Sequence, residues 1–262
     1  MIELRGPTID GTAAAVRLRA RPGPAEIPAA GARCPIAEAR VVATFRTTTV
    51  ELAPGVRLGT VEHLFAALAG LGVRDGISVE VEGGAVPLLD GGAAALTDAA
   101  RSLSLSPAPP RWRVVRDAAI DEGGARATFT RGGGVAVRVR VVGLGALDGE
   151  VAWCGDPEDF RARIAPARTF LVADDADAML AAGLRADVDA RSVVVVDRAG
   201  GAFGVGGVAR DEPARNKLLD LIGDLYAWGG PFEGEVLVER PGHSVNHALV
   251  ERARSEGILA PS

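Results

Sequence analysis

The sequence predicts an α+β protein built from two sheet-plus-helix units in tandem. Short runs rich in β-branched residues alternate apolar and polar positions at period 2, as strands do, while two or more stretches in each half switch to helical spacing. Between the halves, 104–110 carries three prolines in a small polar run that breaks either periodicity. These observations set the units at 1–105 and 111–262.

In the first unit, 13–20 alternates around Val16 and Leu18, and 41–52 is rich in β-branched types, so both read as strands. Pro54-Gly55 marks a turn. Thr60 is placed to cap a helix over about 60–70, in which Val61, Leu64, Phe65 and Leu68 share a face before Gly70. A strand follows at 77–81, then a tight Leu89-Asp90-Gly91-Gly92 turn and a second helix over 93–103. The second unit opens with strands at 112–115, 125–130 and 135–142, the last two joined by Gly132-Gly133-Gly134, which predicts a meander. An inserted strand–helix–strand includes an amphipathic helix at 173–183 and a buried strand at 192–197. A helix over 211–228, a strand at 235–239 and a final helix at 245–254 complete the chain.

With 262 residues, 48% of them apolar, the chain can fill two cores. A formal net charge of −5, with Lys and Arg scattered singly, provides no basic stripe and argues against a nucleic-acid partner. The N-terminus lacks a basic segment followed by an apolar run, and no stretch approaches the roughly 18 apolar residues of a transmembrane segment. A soluble, cytoplasmic monomer is the expectation. Cys34 and Cys154 show no CxxC spacing and suggest neither a disulfide framework nor a zinc knuckle.

Three segments carry chemistry. Glu62 and His63 fall in the first turn of a helix, setting a carboxylate beside an imidazole where the dipole favours the acid. Asn216, Asp220 and Asp224 follow at i, i+4 and i+8, one face of an otherwise apolar helix. His243 follows Gly242 at the head of the last helix, whereas His247 reads as structural. Singly, each feature has an ordinary explanation as a dipole acid, a solvated face or a packed imidazole. Together they are the parts of a site that activates water, accepts its proton and steadies an oxyanion. A separate pattern, the glycine-rich run 200–207, offers Gly204-Val205-Gly206 but then Ala209 where a phosphate loop needs glycine.

Thr60-Val61-Glu62-His63-Leu64 with 66–72, the Pro87 to Gly91 turn, Arg168-Thr169-Phe170, Ile222-Gly223-Asp224-Leu225-Tyr226 and Gly242-His243 with Asn246 resemble, in order, the signatures of the UDP-3-O-acyl-N-acetylglucosamine deacetylases. The resemblance implies a fold of two α+β domains like the second domain of ribosomal protein S5, packed helix layer to helix layer. It implies a zinc-dependent removal of acetate from a UDP-linked acylated glucosamine in lipid A biosynthesis. Residue by residue, it makes His63 and Asp220 zinc ligands, Glu62 the general base, and His243, oriented by Asp224, the group that steadies the oxyanion and protonates the amine. Thr169 would add a hydroxyl on the oxyanion side, and Lys217 and Phe170 would meet substrate. The chain departs from the family pattern at Asn216, where a third ligand His is expected. It departs again at Ile9-Asp10-Gly11-Thr12 in place of His-Ser/Thr-Gly, and at 186–189 in place of a glycine pair. A neutral amide is a poor zinc donor beside imidazole, so a paralogue that binds a nucleotide sugar, lipid or protein without hydrolysis is the alternative.

Overall fold

The computed structural model describes residues 1–29, 31–173, 191–197, 199 and 201–262. The helix expected over 173–183 falls outside these residues from 174 onward, as does the segment 186–189. Strands β1 (Ile2–Pro7), β2 (Ala13–Pro24), β3 (Glu26–Ala29), β4 (Ala32–Pro35) and β8 (Asp75–Glu82) form a sheet of order β1-β2-β8-β3-β4. Strands β10 (Ala118–Glu122), β11 (Ala125–Thr130), β12 (Val135–Val141), β13 (Gly149–Trp153) and β17 (Gly234–Glu239) form a second, of order β10-β11-β17-β12-β13. Both orders have one pattern: the last strand in sequence enters the middle, pairing antiparallel with the second strand and parallel with the third.

This pattern corrects the expected meander. The strands at 125–130 and 135–141 are not neighbours; β17 lies between them, with Val236 opposite both Phe129 and Val137. The backbone N–H of Gly234 reaches Gly134 O at 2.6 Å, so the glycine run lets the chain cross the head of β17 instead of closing a hairpin.

The helices repeat as well. Helix α1 (Glu62–Gly70) precedes the last strand of the first sheet and α2 (Ala94–Arg101) follows it; α3 (Glu212–Tyr226) and α4 (His243–Ser255) flank the last strand of the second. Every residue of α1 is buried, so an amphipathic stripe cannot orient it and it must be enclosed all round. It packs chiefly against α3, of which only Arg215 and Lys217 are not buried. Smaller sheets of β5 (Arg40–Ala43), β6 (Thr49–Ala53) and β7 (Val56–Leu58), and of β14 (Thr169–Val172), β15 (Val193–Val196) and β16 (Ala202–Phe203), complete the fold, with β9 (Trp112–Val114) paired to β18 (Leu259–Pro261). No helix among the described residues is long and apolar enough to cross a membrane.

Candidate active site

The site lies where α1 meets α3. A Cβ on Gly223 would sit 2.0 Å from Glu62 O, so only glycine allows the two backbones to approach this closely. The contact puts Glu62 and His63 opposite the turn of α3 that carries Asp220 and Asp224. Polar side chains buried in an apolar helix pair must find partners, since each unpaired group would cost a few kcal/mol.

Those partners are present. His63 Nε2 lies 3.4 Å from Asp220 Oδ1, and Lys217 Nζ lies 2.8 Å from Asp220 Oδ2. Burial alone would raise the Asp220 carboxyl, but Lys217 and the two imidazoles of His63 and His243 hold it well below the usual carboxylate range. Burial opposes charge on His63, yet its hydrogen bond to Asp220 and the charges of Asp220 and Glu62 push its pKa up. Glu62 accepts a hydrogen bond from the Thr48 backbone N–H at 3.0 Å, and burial pushes its carboxyl up despite the nearby imidazoles.

Thr60 does not cap α1 as expected. It stands at φ 55°, and the N-cap is Val61 with no side-chain capping bond, so Glu62 is the first helical residue. The left-handed turn at Thr60 admits the chain to the helix without aiming its hydroxyl at the orphan amides; Thr60 lines the cleft instead.

A second cluster surrounds Asp224. His243 Nδ1 is 2.9 Å from Asp224 Oδ2, which also accepts from Asn246 Nδ2 at 2.8 Å. Burial disfavours the His243 charge, but Asp224, with Asp220 and Glu62 beyond it, pushes its pKa up to about 10. Asp224 is held far below the usual range by His243 and by hydrogen bonds from both imidazoles, burial notwithstanding. His247, expected to be structural, is part of this cluster: its Nε2 is 3.2 Å from Asp224 Oδ1 and 3.0 Å from Thr48 Oγ1. One helical turn separates it from His243, so both rings face α3.

Glu62, His63, Asp220, His243, Asn216 and Lys217 all line one cleft of about 360 Å³. Thr169 and Phe170 form part of its wall; the Thr169 hydroxyl donates to Gly91 O at 3.1 Å, and Lys217 Nζ sits 5.1 Å above the Phe170 ring. Ile9 lines the cleft too and gives it an apolar side chain on that wall. Asp224 lies behind the wall and reaches the cleft through His243 and, by way of Thr48, Glu62. The glycine run near 204–206 is followed by residues without regular structure and then a turn at 210–211 until Glu212, so no helix N-terminus closes on it.

The donor set can be tested against a metal ion. His63 and Asp220 are good divalent-metal donors. Asn216, one turn before Asp220, lines the cleft, and its Nδ2 is buried without a hydrogen-bond partner among the described residues. Only Oδ1 of this amide can donate to a cation. Among the described residues no three His, Cys, Asp or Glu side chains form a metal-binding group. The site therefore fits a divalent ion through two strong donors and an amide oxygen, a set weaker and harder than one with a second imidazole.

Sequence reasoning missed Thr48, which is fully buried and bridges the two clusters through its amide to Glu62 and its hydroxyl to Asp224 at 2.6 Å. No motif announces it, because it sits in the irregular segment before β6. His247 could have been found from its spacing of four to His243.

The model of the UDP-3-O-acyl N-acetylglycosamine deacetylase family matches residues 22–254. Similar proteins include the UDP-3-O-acyl-N-acetylglucosamine deacetylase of Myxococcus xanthus, 34% identical over 211 residues, which are 77% of this chain and 66% of that protein. The protein of the same name from Anaeromyxobacter dehalogenans is 33% identical over 232 residues, 86% of this chain and 74% of its own. That from Nitratidesulfovibrio vulgaris is 32% identical over 224 residues, 84% and 72% respectively.

Proposed function

The chain belongs to the UDP-3-O-acyl N-acetylglycosamine deacetylase family, and from that membership we propose that it hydrolyses the 2-acetamido group of UDP-3-O-acyl-N-acetylglucosamine to the free amine and acetate, a step of lipid A biosynthesis. The observation that carries the reading is the pairing of a base and an acid in one cleft. Glu62 has a carboxyl raised by burial, and His243 has an imidazolium sustained to about 10 by Asp224. A carboxylate placed to accept a proton and an imidazolium placed to donate one divide the two halves of an acid–base reaction between them.

The family is metal-dependent, and we propose zinc, held by His63 and Asp220 with Asn216 Oδ1 or water completing the set. When bound it would polarise the acetamide carbonyl and make water more acidic. Glu62 takes the proton of the attacking water as the new C–O bond forms. His243 Nε2–H, 4.0 Å from Asp220 Oδ2, steadies the oxyanion and then protonates the amine nitrogen as the C–N bond breaks. Asp224 holds Nδ1–H so that Nε2 is the atom presented to the cleft. Lys217 would meet the substrate's phosphates once substrate competes with Asp220, Phe170 would pack on its apolar part, and Thr169 would turn its hydroxyl from Gly91 to the oxyanion. Incubating the protein with this substrate and following amine product and acetate by mass spectrometry tests the reading; equimolar appearance supports it, and intact substrate at high enzyme with added divalent metal refutes it.

A further inference from the structure

Asp224 accepts hydrogen bonds on both oxygens, and the two sides have different sources. Oδ2 takes His243 Nδ1–H and Asn246 Nδ2; Oδ1 takes the Thr48 hydroxyl and lies 3.2 Å from His247 Nε2. Behind His247, Trp228 Nε1 lies 2.8 Å from His247 Nδ1. Indole N–H can only donate, so His247 Nδ1 must present its lone pair, and the ring is the neutral tautomer with its proton on Nε2. That proton points at Thr48 Oγ1, 3.0 Å away, and at Asp224 Oδ1. Thr48, accepting there, turns its own hydroxyl proton to Asp224 at 2.6 Å. The opposite tautomer would set two N–H groups against each other at Trp228 and leave a bare lone pair facing the carboxylate. Thr48, Asp224 and His247 are all buried, so water cannot relieve such a mismatch.

We propose that Trp228, His247 and Thr48 are positioning residues that form one directed hydrogen-bond relay, fixing Asp224 so that it aims His243 at the substrate. The relay rests on His243 acting as proton donor in the proposed reaction. With Trp228 on His247 Nδ1, the Nε2–H of His247 and the Nδ1–H of His243 approach Asp224 from the two sides of its carboxylate. Because Thr48 also holds Glu62 through its amide, the relay ties the acid to the base across the interface of α1 and α3.

The chain has three histidines, so ring nitrogen signals from protein labelled with 15N-histidine are few enough to assign, with His247→Gln identifying one of them. The expected result is an Nε2–H tautomer for His247 in the wild type, which gives way to a mixture in Trp228→Phe. Turnover of that variant should fall by about ten-fold with KM little changed, as for other outer partners of a site. Thr48→Val should lower kcat similarly and Thr48→Ser should recover most of it, which keeps the test decisive if Trp228→Phe does not fold. An Nδ1–H tautomer in the wild type overturns the relay, as does a Trp228→Phe protein with unaltered tautomer and kcat, or full activity in Thr48→Val. If no deacetylation occurs at all, the proposed function fails, while the tautomer and its dependence on Trp228 still decide the relay.

Discussion

Gly223→Ala perturbs a close backbone contact between the two helices that carry the site. The added Cβ would lie 2.0 Å from Glu62 O and 2.8 Å from its carbonyl carbon, both backbone atoms that no rotamer change can move. Restoring ordinary contact near 3.4 Å requires α1 and α3 to part by about 1.4 Å. Overpacking of this kind costs about 1–3 kcal/mol. The catalytic cost is larger in proportion, since Glu62 and His63 move with α1 while Asp220 and Asp224 stay with α3. A displacement near 1 Å costs about 100-fold in rate. Thermal unfolding and acetate release measured on the same preparation should show a lower Tm and turnover down about 100-fold, with far-UV circular dichroism unchanged. Wild-type turnover in a folded Gly223→Ala protein would refute the claim that this crossing positions the base.

Glu62→Gln removes the proton acceptor while keeping shape and the Thr48 contact, and should lower kcat by about 100-fold or more without loss of bound metal, as metal analysis and kinetics together would show. Asp224→Asn leaves His243 buried without its main support, so the alkaline limb of the pH–rate profile should fall by about 1–3 pH units. The sign for stability follows from the raised His243 pKa: its contribution is full below the ordinary 6.5 and is lost as pH rises through about 10, so denaturant titrations across that window should show the wild type weakening. Asn216→His supplies a third strong donor at the right turn of α3, and calorimetric titration should show zinc affinity rising by about ten-fold or more. Equal affinity in both proteins would mean that the amide is no handicap.

The chemistry was more legible than the topology. Glu62 and His63 stood out because they are the only polar positions of an apolar helix, and Asn216, Asp220 and Asp224 because they share a face. His247 carries the same i, i+4 signal relative to His243 but reads as structural, because its partners Thr48 and Trp228 are not neighbours in sequence. Thr48 is 176 positions from Asp224, and nothing local marks it. The duplicated strand order was invisible for a related reason. Alternation identifies a strand and says nothing about its neighbour, so Gly132-Gly133-Gly134 read as a hairpin although β17 comes between. At Thr60 the residue type promised a cap, but the residue adopts a positive φ and the N-cap position falls to Val61.

The central claim is that this cleft hydrolyses an acetamide with Glu62 as base. Its most direct test is acetate release from UDP-3-O-acyl-N-acetylglucosamine by wild type and Glu62→Gln, each supplied with saturating zinc, in water enriched in 18O. The account predicts acetate carrying one solvent oxygen from the wild type, an unlabelled UDP-3-O-acyl-glucosamine product, and a rate lower by about 100-fold or more in the variant. Equal rates in the two proteins, or no acetate from the wild type, would contradict it.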